Sequence, residues 1–361
     1  ITCALAHLPR HEQEYRDVTE NPSTSPVDVD FFQRELESFL PDCIFDAHTH
    51  LWKNDLINWS LPGIEGDCGY AEYQQCMQDI HPGRTTHALF IPFITTEHRQ
   101  QSLAASQWIA EQLKHDRNSR GLFFVKPEDD PEWIRDQVRE LGLHGLKCYH
   151  TMASTDPTWE ADIDAFLPES FVQVAHEESL AITLHIVKAR ALGDSANREW
   201  IRSTCQKYPD MKLILAHSGR GFQPAHNLEG LPDLVGLENL YFDTSANCEP
   251  IAHQAIIRIL GHERLMYGSD LPISHMRGRS LSAADTFIWL YENTPVWGEN
   301  HGQIDPVLIG LEHLRSLKWA CWSEKLTDSQ VEDIFYHNAA KLLGVGETNV
   351  TDLSVNRSRT R

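Results

Sequence analysis

The stretch "CIFDAHTH" (residues 43–50) is a short apolar run that ends in polar side chains. Such a run is typical of a buried β-strand, in which alternate residues point to the same face. We therefore expect Asp46, His48 and His50 to share one face. Burying an uncharged polar group without a partner costs about 2–7 kcal/mol, so these side chains need hydrogen bonds or a cation.

Seven further apolar runs follow along the chain and alternate with longer stretches of helical periodicity. They are "TTHALFIPF" (85–93), "GLFFVKP" (121–127), "HGLKCYH" (144–150), "LAITLHIVK" (180–188), "MKLILAHSG" (211–219), "NLYFDTSA" (239–246) and "RLMYGSDLP" (264–272). Eight strands separated by helices predict parallel strands joined by crossover connections. The sequence thus predicts an α/β fold, a distorted (β/α)8 TIM barrel, in preference to an open doubly wound sheet.

The expected barrel is flanked by segments of different character. Residues 1–42 are predicted to form a polar arm followed by a helix over 28–40, the barrel occupies 43–344, and 345–361 form a polar tail. Helices inside the barrel are expected over 102–116, 131–141, 161–178, 196–208 and 250–260. A long insertion (273–327) follows strand eight, and a closing helix spans 328–344.

Composition excludes several classes of protein. The net charge of −21, from 52 acidic and 31 basic residues, disfavours a nucleic-acid partner. No apolar run reaches the roughly 20 residues of a membrane helix, and the first residues lack the pattern of a signal peptide. The eight cysteines are scattered and have no CxxC pair. They predict free thiols in a reducing compartment, the cytoplasm.

Polar residues interrupt several of the strand-like runs close to their ends. In a TIM barrel the active site lies at the carboxyl ends of the strands, so barrel closure would gather these side chains around one axis. They are His48, His50, Lys147, His185, His217 and Asp270. Each alone has an ordinary explanation, such as a hydrogen-bonded core histidine. Together they predict a site for zinc or a similar divalent ion, since imidazole and carboxylate are its usual ligands.

With these motifs the sequence resembles the amidohydrolase superfamily, within the branch called amidohydrolase family 2. That branch includes aminocarboxymuconate-semialdehyde decarboxylase and related lyases and hydrolases. The matching stretches, in the same order, are "DAHTH", "GLKCYH", "LHIVK", "LILAHSG", "NLYFDTSA", "LMYGSDLP" and "NAAKLLG". The resemblance implies a TIM barrel and one Zn2+ ion per chain.

The resemblance also implies roles for the six residues. The metal ligands would be His48, His50, His185 and Asp270, and His217 would polarise substrate or water. Lys147 has two open roles. It would bridge a second metal ion if it were carboxylated, or it would contact substrate. We expect one metal ion.

The expected reaction uses a water molecule activated by the metal, with Asp270 as proton acceptor and His217 as the second catalytic residue. We expect hydrolysis of an amide, ester or lactone of a small carboxylate-bearing molecule. The same ligands serve nonoxidative decarboxylation, which stays open as the alternative. A non-catalytic metal-binding barrel and uronate-isomerase-type chemistry are weaker alternatives. The presence of Asp270 and His217 disfavours the first of these.

Further substrate contacts are expected from the loops: Trp52, Arg220, His275 and Arg277. Trp52 continues the alternation of His48 and His50, and Arg220 is able to bind a carboxylate in bidentate fashion. Rim packing, surface ion pairs and simple solvation are the structural alternatives for these four. The expected partners are a small anionic substrate and further copies of the chain in a homo-oligomer, with no nucleic acid and no membrane.

Overall fold

Eight parallel strands form the centre of the protein, and each is hydrogen-bonded to its neighbour in chain order. The computed structural model describes residues 24–57, 64–294 and 305–346. The strands are β1 Cys43–Leu51, β2 Thr85–Pro92, β3 Arg120–Phe124, β4 Gly145–Cys148, β5 Ala181–Leu184, β6 Lys212–Leu215, β7 Leu240–Asp243 and β8 Leu265–Met266. Six lie within the runs that the sequence predicts as strands, and β1 and β3 each extend one residue beyond their run.

Backbone hydrogen bonds between β1 and the segment that continues β8 join the two ends of the sheet. Ala47 N donates to Tyr267 O at 2.8 Å, and Asp270 N donates to His48 O at 2.7 Å. His50 N donates to Leu271 O at 3.0 Å. These bonds confirm the predicted (β/α)8 barrel, and they place Asp270 directly beside the two histidines of β1.

The connections between the strands contain the expected helices. The α-helices of the described residues that are longer than five residues are α1 Pro26–Phe31, α2 Tyr70–Ile80, α3 Ser102–Gln112, α4 Pro131–Leu141, α5 Glu169–Glu177, α6 Ser195–Lys207, α7 Pro224–Gly230, α8 Pro250–Leu260 and α9 Ile309–Ser323. The predictions for α4 and α8 match to the residue. The helices α2, α7 and α9 were not predicted from the sequence.

Three predicted helices differ from the structure. The helix expected over 161–178 begins only at α5, because Pro168 lacks a backbone N–H and disfavours helical geometry in the preceding residue. The N-terminal helix changes from α1 to π-helical hydrogen bonding over Phe32–Leu36. The closing helix is likewise divided, into Asp328–Glu332, a π-helical Asp333–His337 and Asn338–Leu342.

The barrel has an apolar interior and an apolar shell between strands and helices. Inside, side chains from six strands pack together: Phe45, Ala47, Leu89, Ile91, Leu122, Ala181, Ile214 and Met266. A larger cluster fills the space between the outer faces of the strands and the surrounding helices. Because the strands are buried on both faces, they read as continuous apolar runs rather than alternating ones.

The insertion after β8 contains an antiparallel hairpin and α9. The hairpin strands are β9 Gly278–Ala283 and β10 Thr286–Tyr291. Phe287 and Trp289 occupy one face of β10 and contact Phe222, which follows β6, at ring-centre distances of 4.6 and 5.5 Å. The hairpin therefore covers part of the carboxyl end of the barrel.

The cysteines of the described chain are all free thiols, as predicted, and all but Cys43 are buried. Cys3 lies outside the described residues, as do most of the predicted arm (1–23) and most of the predicted tail (347–361). Within the described part of the chain, no helix combines the length and the apolar character needed to cross a membrane.

Candidate metal centre

Three of the predicted ligands converge at the carboxyl end of the barrel. His48 Nε2 and His50 Nε2 lie 3.3 Å apart. Asp270 Oδ1 lies 3.6 Å from the first nitrogen and 3.5 Å from the second. All three side chains are buried, and these atoms form a compact set of donors.

The spacing of these atoms suits a metal ion. Ligand atoms 2.0–2.1 Å from a tetrahedral zinc ion lie about 3.3–3.4 Å from one another, close to the separations in this set. Asp270 Oδ1 is buried without a hydrogen-bond partner among the described residues. Burial lowers the pKa of His50 well below its usual value, so its ring is neutral and able to bind a cation. The residues present therefore fit the expected metal.

Asp243, at the end of β7, fixes the orientation of His48. His48 Nδ1 donates to Asp243 Oδ2 at 2.8 Å, which leaves Nε2 with its lone pair toward the donor set. Burial opposes the charged form of Asp243. Even so, hydrogen bonds from His48 and Ser245 hold the pKa of this carboxyl below its ordinary value. A carboxylate that orients a metal-binding histidine in this way is a common feature of metal sites.

His217 adjoins the same centre through its Nδ1 atom. Nδ1 lies 3.9 Å from Asp270 Oδ2 and donates to the carbonyl oxygen of Ser245 at 2.9 Å. Burial lowers the pKa of His217 to about 4, so the ring is neutral near pH 7. Since Nδ1 carries the proton, Nε2 is a hydrogen-bond acceptor. This tautomer suits the orientation of a water molecule better than donation to a substrate carbonyl.

The backbone at His217 forms a left-handed turn. Residues 217–220 all have φ between +54° and +67°, and Gly221 N donates to His217 O at 2.8 Å. Such a turn costs about 1–2 kcal/mol for each non-glycine residue. Contacts from outside the turn hold it. His217 N donates to Asp243 Oδ1, and Ser218 Oγ donates to His253 Nδ1 at 2.8 Å. The strain thus lies beside the candidate centre, where it positions a predicted catalytic residue.

Asp46 does not join the metal ligands, contrary to the expectation of a shared face. The pairing of β1 with β2 shifts register between Asp46 and Thr49, so strict alternation fails there. Asp46 Oδ1 accepts from His48 N and Ser269 N, and Oδ2 accepts from Tyr73 OH. Burial raises the pKa of Asp46 to about 7. Its contacts connect the backbone at His48 with the backbone directly before Asp270.

His185 lies next to the centre but outside the compact set of donors. Its ring centre is 5.0 Å from that of His217 and 5.2 Å from that of Tyr149. Both ring nitrogens are buried without a hydrogen-bond partner among the described residues, and burial lowers the pKa well below the usual value. Its nitrogens are uncommitted, and its role as a metal ligand stays a prediction.

A cavity of about 20 Å³ lies beside these ligands. Its lining combines polar and apolar side chains: His48, His50, Pro92, Phe93, Ile94, Phe124, Lys147, Tyr149, His217 and Asp270. Burial lowers the pKa of Lys147, and the charges of Asp243 and Asp270 oppose that change. A larger cavity of about 300 Å³ beside α1 contains none of the predicted site residues.

The four loop residues predicted as substrate contacts do not line this cavity. Trp52 packs behind it, with its ring centre 6.2 Å from that of Phe93. Arg220 Nη1 donates to Lys188 O at 2.6 Å, and its guanidinium lies over the ring of Phe287. These two side chains are near the site without facing the ligands.

His275 and Arg277 have partners elsewhere. His275 Nε2 donates to Cys76 O at 2.9 Å in α2. Arg277 forms a bidentate ion pair with the buried Asp28 of α1, with N–O distances of 2.6 and 3.1 Å. The structure therefore favours structural roles for both, because the insertion folds back onto the N-terminal helices.

The residues that orient the predicted ligands were not identified from the sequence. Asp243 and Ser245 stand in "NLYFDTSA", which was noted as a motif without a role for either residue. An acidic residue at the end of a barrel strand was the available signal. Ser269, directly before Asp270, offered no comparable signal.

Comparison with known proteins gives one family and several similar folds. The sequence model of the family described as "Amidohydrolase" matches residues 45–345. None of the curated proteins compared by sequence gives a significant match.

Among solved structures, an amidohydrolase from Burkholderia multivorans with bound HEPES has a TM-score of 0.56 at 13% identity, covering 84% of this chain and 100% of that one. A second crystal form of that protein contains zinc. A putative 2-pyrone-4,6-dicarboxylic acid hydrolase from Pseudomonas putida has a TM-score of 0.53 at 17% identity, with coverages of 86% and 100%. A 2,6-dihydroxybenzoate decarboxylase in complex with 2,6-dihydroxybenzoate has a TM-score of 0.53 at 12% identity, covering 84% of this chain and 100% of that one. At sequence identities this low, these similarities show that the folds are alike and nothing more.

Proposed function

The chain belongs to the amidohydrolase family, and from that premise we propose that it is a zinc-dependent hydrolase of a small carboxylate-bearing amide, ester or lactone. The observation that carries the proposal is the donor set of His48, His50 and Asp270, with Asp270 Oδ1 unpaired between two histidine nitrogens. The presence of zinc in one structure of a similar fold supports the choice of metal.

Each residue of the centre has a distinct task in this reaction. His48 and His50 hold the ion together with Asp270, and His185 is the proposed fourth ligand. When bound, a divalent ion acts as a Lewis acid and lowers the pKa of a water molecule toward about 7. Asp270 accepts the proton of the attacking water and passes it to the leaving group. His217 Nε2 accepts a hydrogen bond from that water and orients it.

Nonoxidative decarboxylation is the second candidate, and one observation favours it. Phe93, Ile94 and Phe124 form an apolar part of the cavity lining, beside the candidate metal ligands. Loss of CO2 is faster when the departing carboxylate is poorly solvated, and an apolar wall provides that environment. We rank hydrolysis first because Asp270 beside the metal supplies the complete proton transfer that hydrolysis needs.

An isotope experiment on the zinc-loaded protein separates the two reactions. Lactones, amides, esters and aromatic carboxylates are screened for release of acid or CO2. The active compound is then turned over in H₂¹⁸O and, separately, in D₂O. We expect ¹⁸O in the new carboxylate, because water attacks the carbonyl carbon.

An Asp270→Asn sample, purified in the same way, controls for contaminating enzymes and should show no turnover above background. Deuterium on carbon together with CO2 release would reject hydrolysis and establish decarboxylation. Equal turnover by the Asp270→Asn protein would reject both reactions at this site.

A further inference from the structure

Lys147 is a buried lysine whose ammonium group has no anionic partner in the described chain. Its side chain, on β4, is 2% exposed and lines the cavity beside the metal ligands. Among the described residues, no carboxylate lies within 4 Å of Nζ and no hydrogen bond to Nζ occurs. Nζ lies over the aromatic ring of Tyr149, 5.9 Å from the ring centre.

The other buried lysine near the carboxyl end of the barrel is fully paired. Lys126, which follows β3, is 6% exposed. Its Nζ lies 2.9 Å from Asp129 Oδ1 and 3.0 Å from Ser102 Oγ. Burial of an unpaired charge costs several kcal/mol, so a lysine kept without such partners calls for another explanation.

The acids closest to Lys147 are engaged with histidines. Asp243 accepts hydrogen bonds from His48, His217 and Ser245. Asp270 Oδ1 faces the two histidine nitrogens of β1. Neither acid therefore forms a direct ion pair with Nζ of Lys147, although both charges act on it from a greater distance.

The surroundings of Nζ suit a cation better than an anion. The face of an aromatic ring attracts positive charge and repels negative charge, so Tyr149 favours an ammonium over a carbamate. The cavity wall formed by Phe93, Ile94 and Phe124 offers no hydrogen-bond donor to a carbamate.

We propose that Lys147 stays an unmodified ammonium and is the counter-ion of a substrate carboxylate carried on an apolar body. This inference rests on the proposed function and deepens it, because it names the residue that recognises the substrate anion. It also selects between the two roles expected for Lys147. Without a carbamate, the bridging ligand of a second metal ion is missing, and the centre holds one ion.

The first test examines the chemical state of Lys147. Zinc-loaded wild-type protein is equilibrated with ¹³C-bicarbonate and examined by ¹³C NMR, with the Lys147→Met variant as reference. We expect the same spectra from both proteins. A carbamate signal in the wild type that is absent from the variant would overturn the proposal.

The second test measures binding of an acid and its neutral amide, with benzoate and benzamide as probes. Calorimetric titrations use the metal-free and the zinc-loaded protein, since zinc itself binds carboxylates. We expect Lys147→Met to weaken benzoate binding about 10- to 100-fold, as loss of a charged hydrogen bond does, and to leave benzamide unchanged. The matched control Lys126→Met should retain the benzoate preference of the wild type.

The outcomes separate this inference from the proposed reaction, because binding is measured without turnover. Equal affinity of wild type and Lys147→Met for benzoate, or no preference of the wild type for benzoate over benzamide, would overturn it. If Lys147→Met does not fold, as judged by circular dichroism, Lys147→Gln replaces it in the same titrations. Failure to find hydrolysis would not alter these results.

Discussion

At the scale of single residues, the orientation of the predicted ligand His48 depends on Asp243. The carboxylate accepts the proton of His48 Nδ1 and thereby directs the Nε2 lone pair toward His50 and Asp270. It also accepts from the backbone of His217. One buried carboxylate thus orients both a ligand and a predicted catalytic residue.

We expect Asp243→Asn to weaken zinc affinity about 10- to 100-fold, the usual cost of losing a carboxylate that orients a ligand histidine. The neutral amide no longer stabilises the required tautomer of His48. Competition titration with a chromogenic chelator measures the affinity.

The matched control is Asp116→Asn. This variant removes the carboxylate of an aspartate–histidine pair remote from the centre, in which Asp116 Oδ2 lies 2.7 Å from His87 Nδ1. This variant should bind zinc as the wild type does. Unchanged zinc affinity in the Asp243→Asn protein would contradict the role given to Asp243.

The same residues show what a sequence reveals about a site. His48, His50 and Asp270 were predicted because each interrupts an apolar run, which is a local signal. Asp243 was missed because its role depends on a partner 195 positions earlier in the chain. The partners of His275 and Arg277 were not predicted for the same reason, since they lie in distant helices.

At the scale of elements, the left-handed turn after β6 is the feature that sets the direction of His217. Gly219, at φ +67°, is its one glycine, and a Cβ there would lie 2.6 Å from Leu192 Cδ1. Gly142, after α4, has nearly the same backbone, φ +62°, with open space around a Cβ. Comparing substitutions at Gly219 and Gly142 separates the effect of the turn on His217 from the energetic cost of placing a side chain at positive φ.

We expect Gly219→Ala and Gly142→Ala each to lower the free energy of unfolding by about 1 kcal/mol, because alanine disfavours positive φ. The contact with Leu192 adds to the loss in the first variant. Only Gly219→Ala should reduce kcat/KM, by at least about tenfold, because it displaces His217 from its position.

Chemical denaturation and steady-state kinetics on the substrate found in the screen measure these two effects. If both variants kept wild-type kcat/KM, the turn would have no part in positioning His217.

At the scale of the whole molecule, the barrel was predictable because its signal repeats eight times. An error in the bounds of one element, such as the late start of helix α5, does not alter the number of strands. The hairpin β9–β10 and the π-helical segments were not predicted, since they depend on packing against distant parts of the chain. Phe287 and Trp289 of the hairpin, for example, pack against Phe222.

The barrel also explains why residues so far apart in sequence form one centre. Parallel strands end at the same edge, so side chains from β1, β7 and the end of β8 meet without any local signal that connects them. We therefore infer that this convergence binds a metal ion.

The most direct test is elemental analysis of protein purified without chelator, followed by a crystal structure with anomalous data at the zinc edge. We expect about one zinc ion per chain, with His48 Nε2, His50 Nε2 and an oxygen of Asp270 at about 2.0–2.2 Å from it. Less than about a tenth of an equivalent of metal, with these three side chains bonded only to one another, would contradict the account.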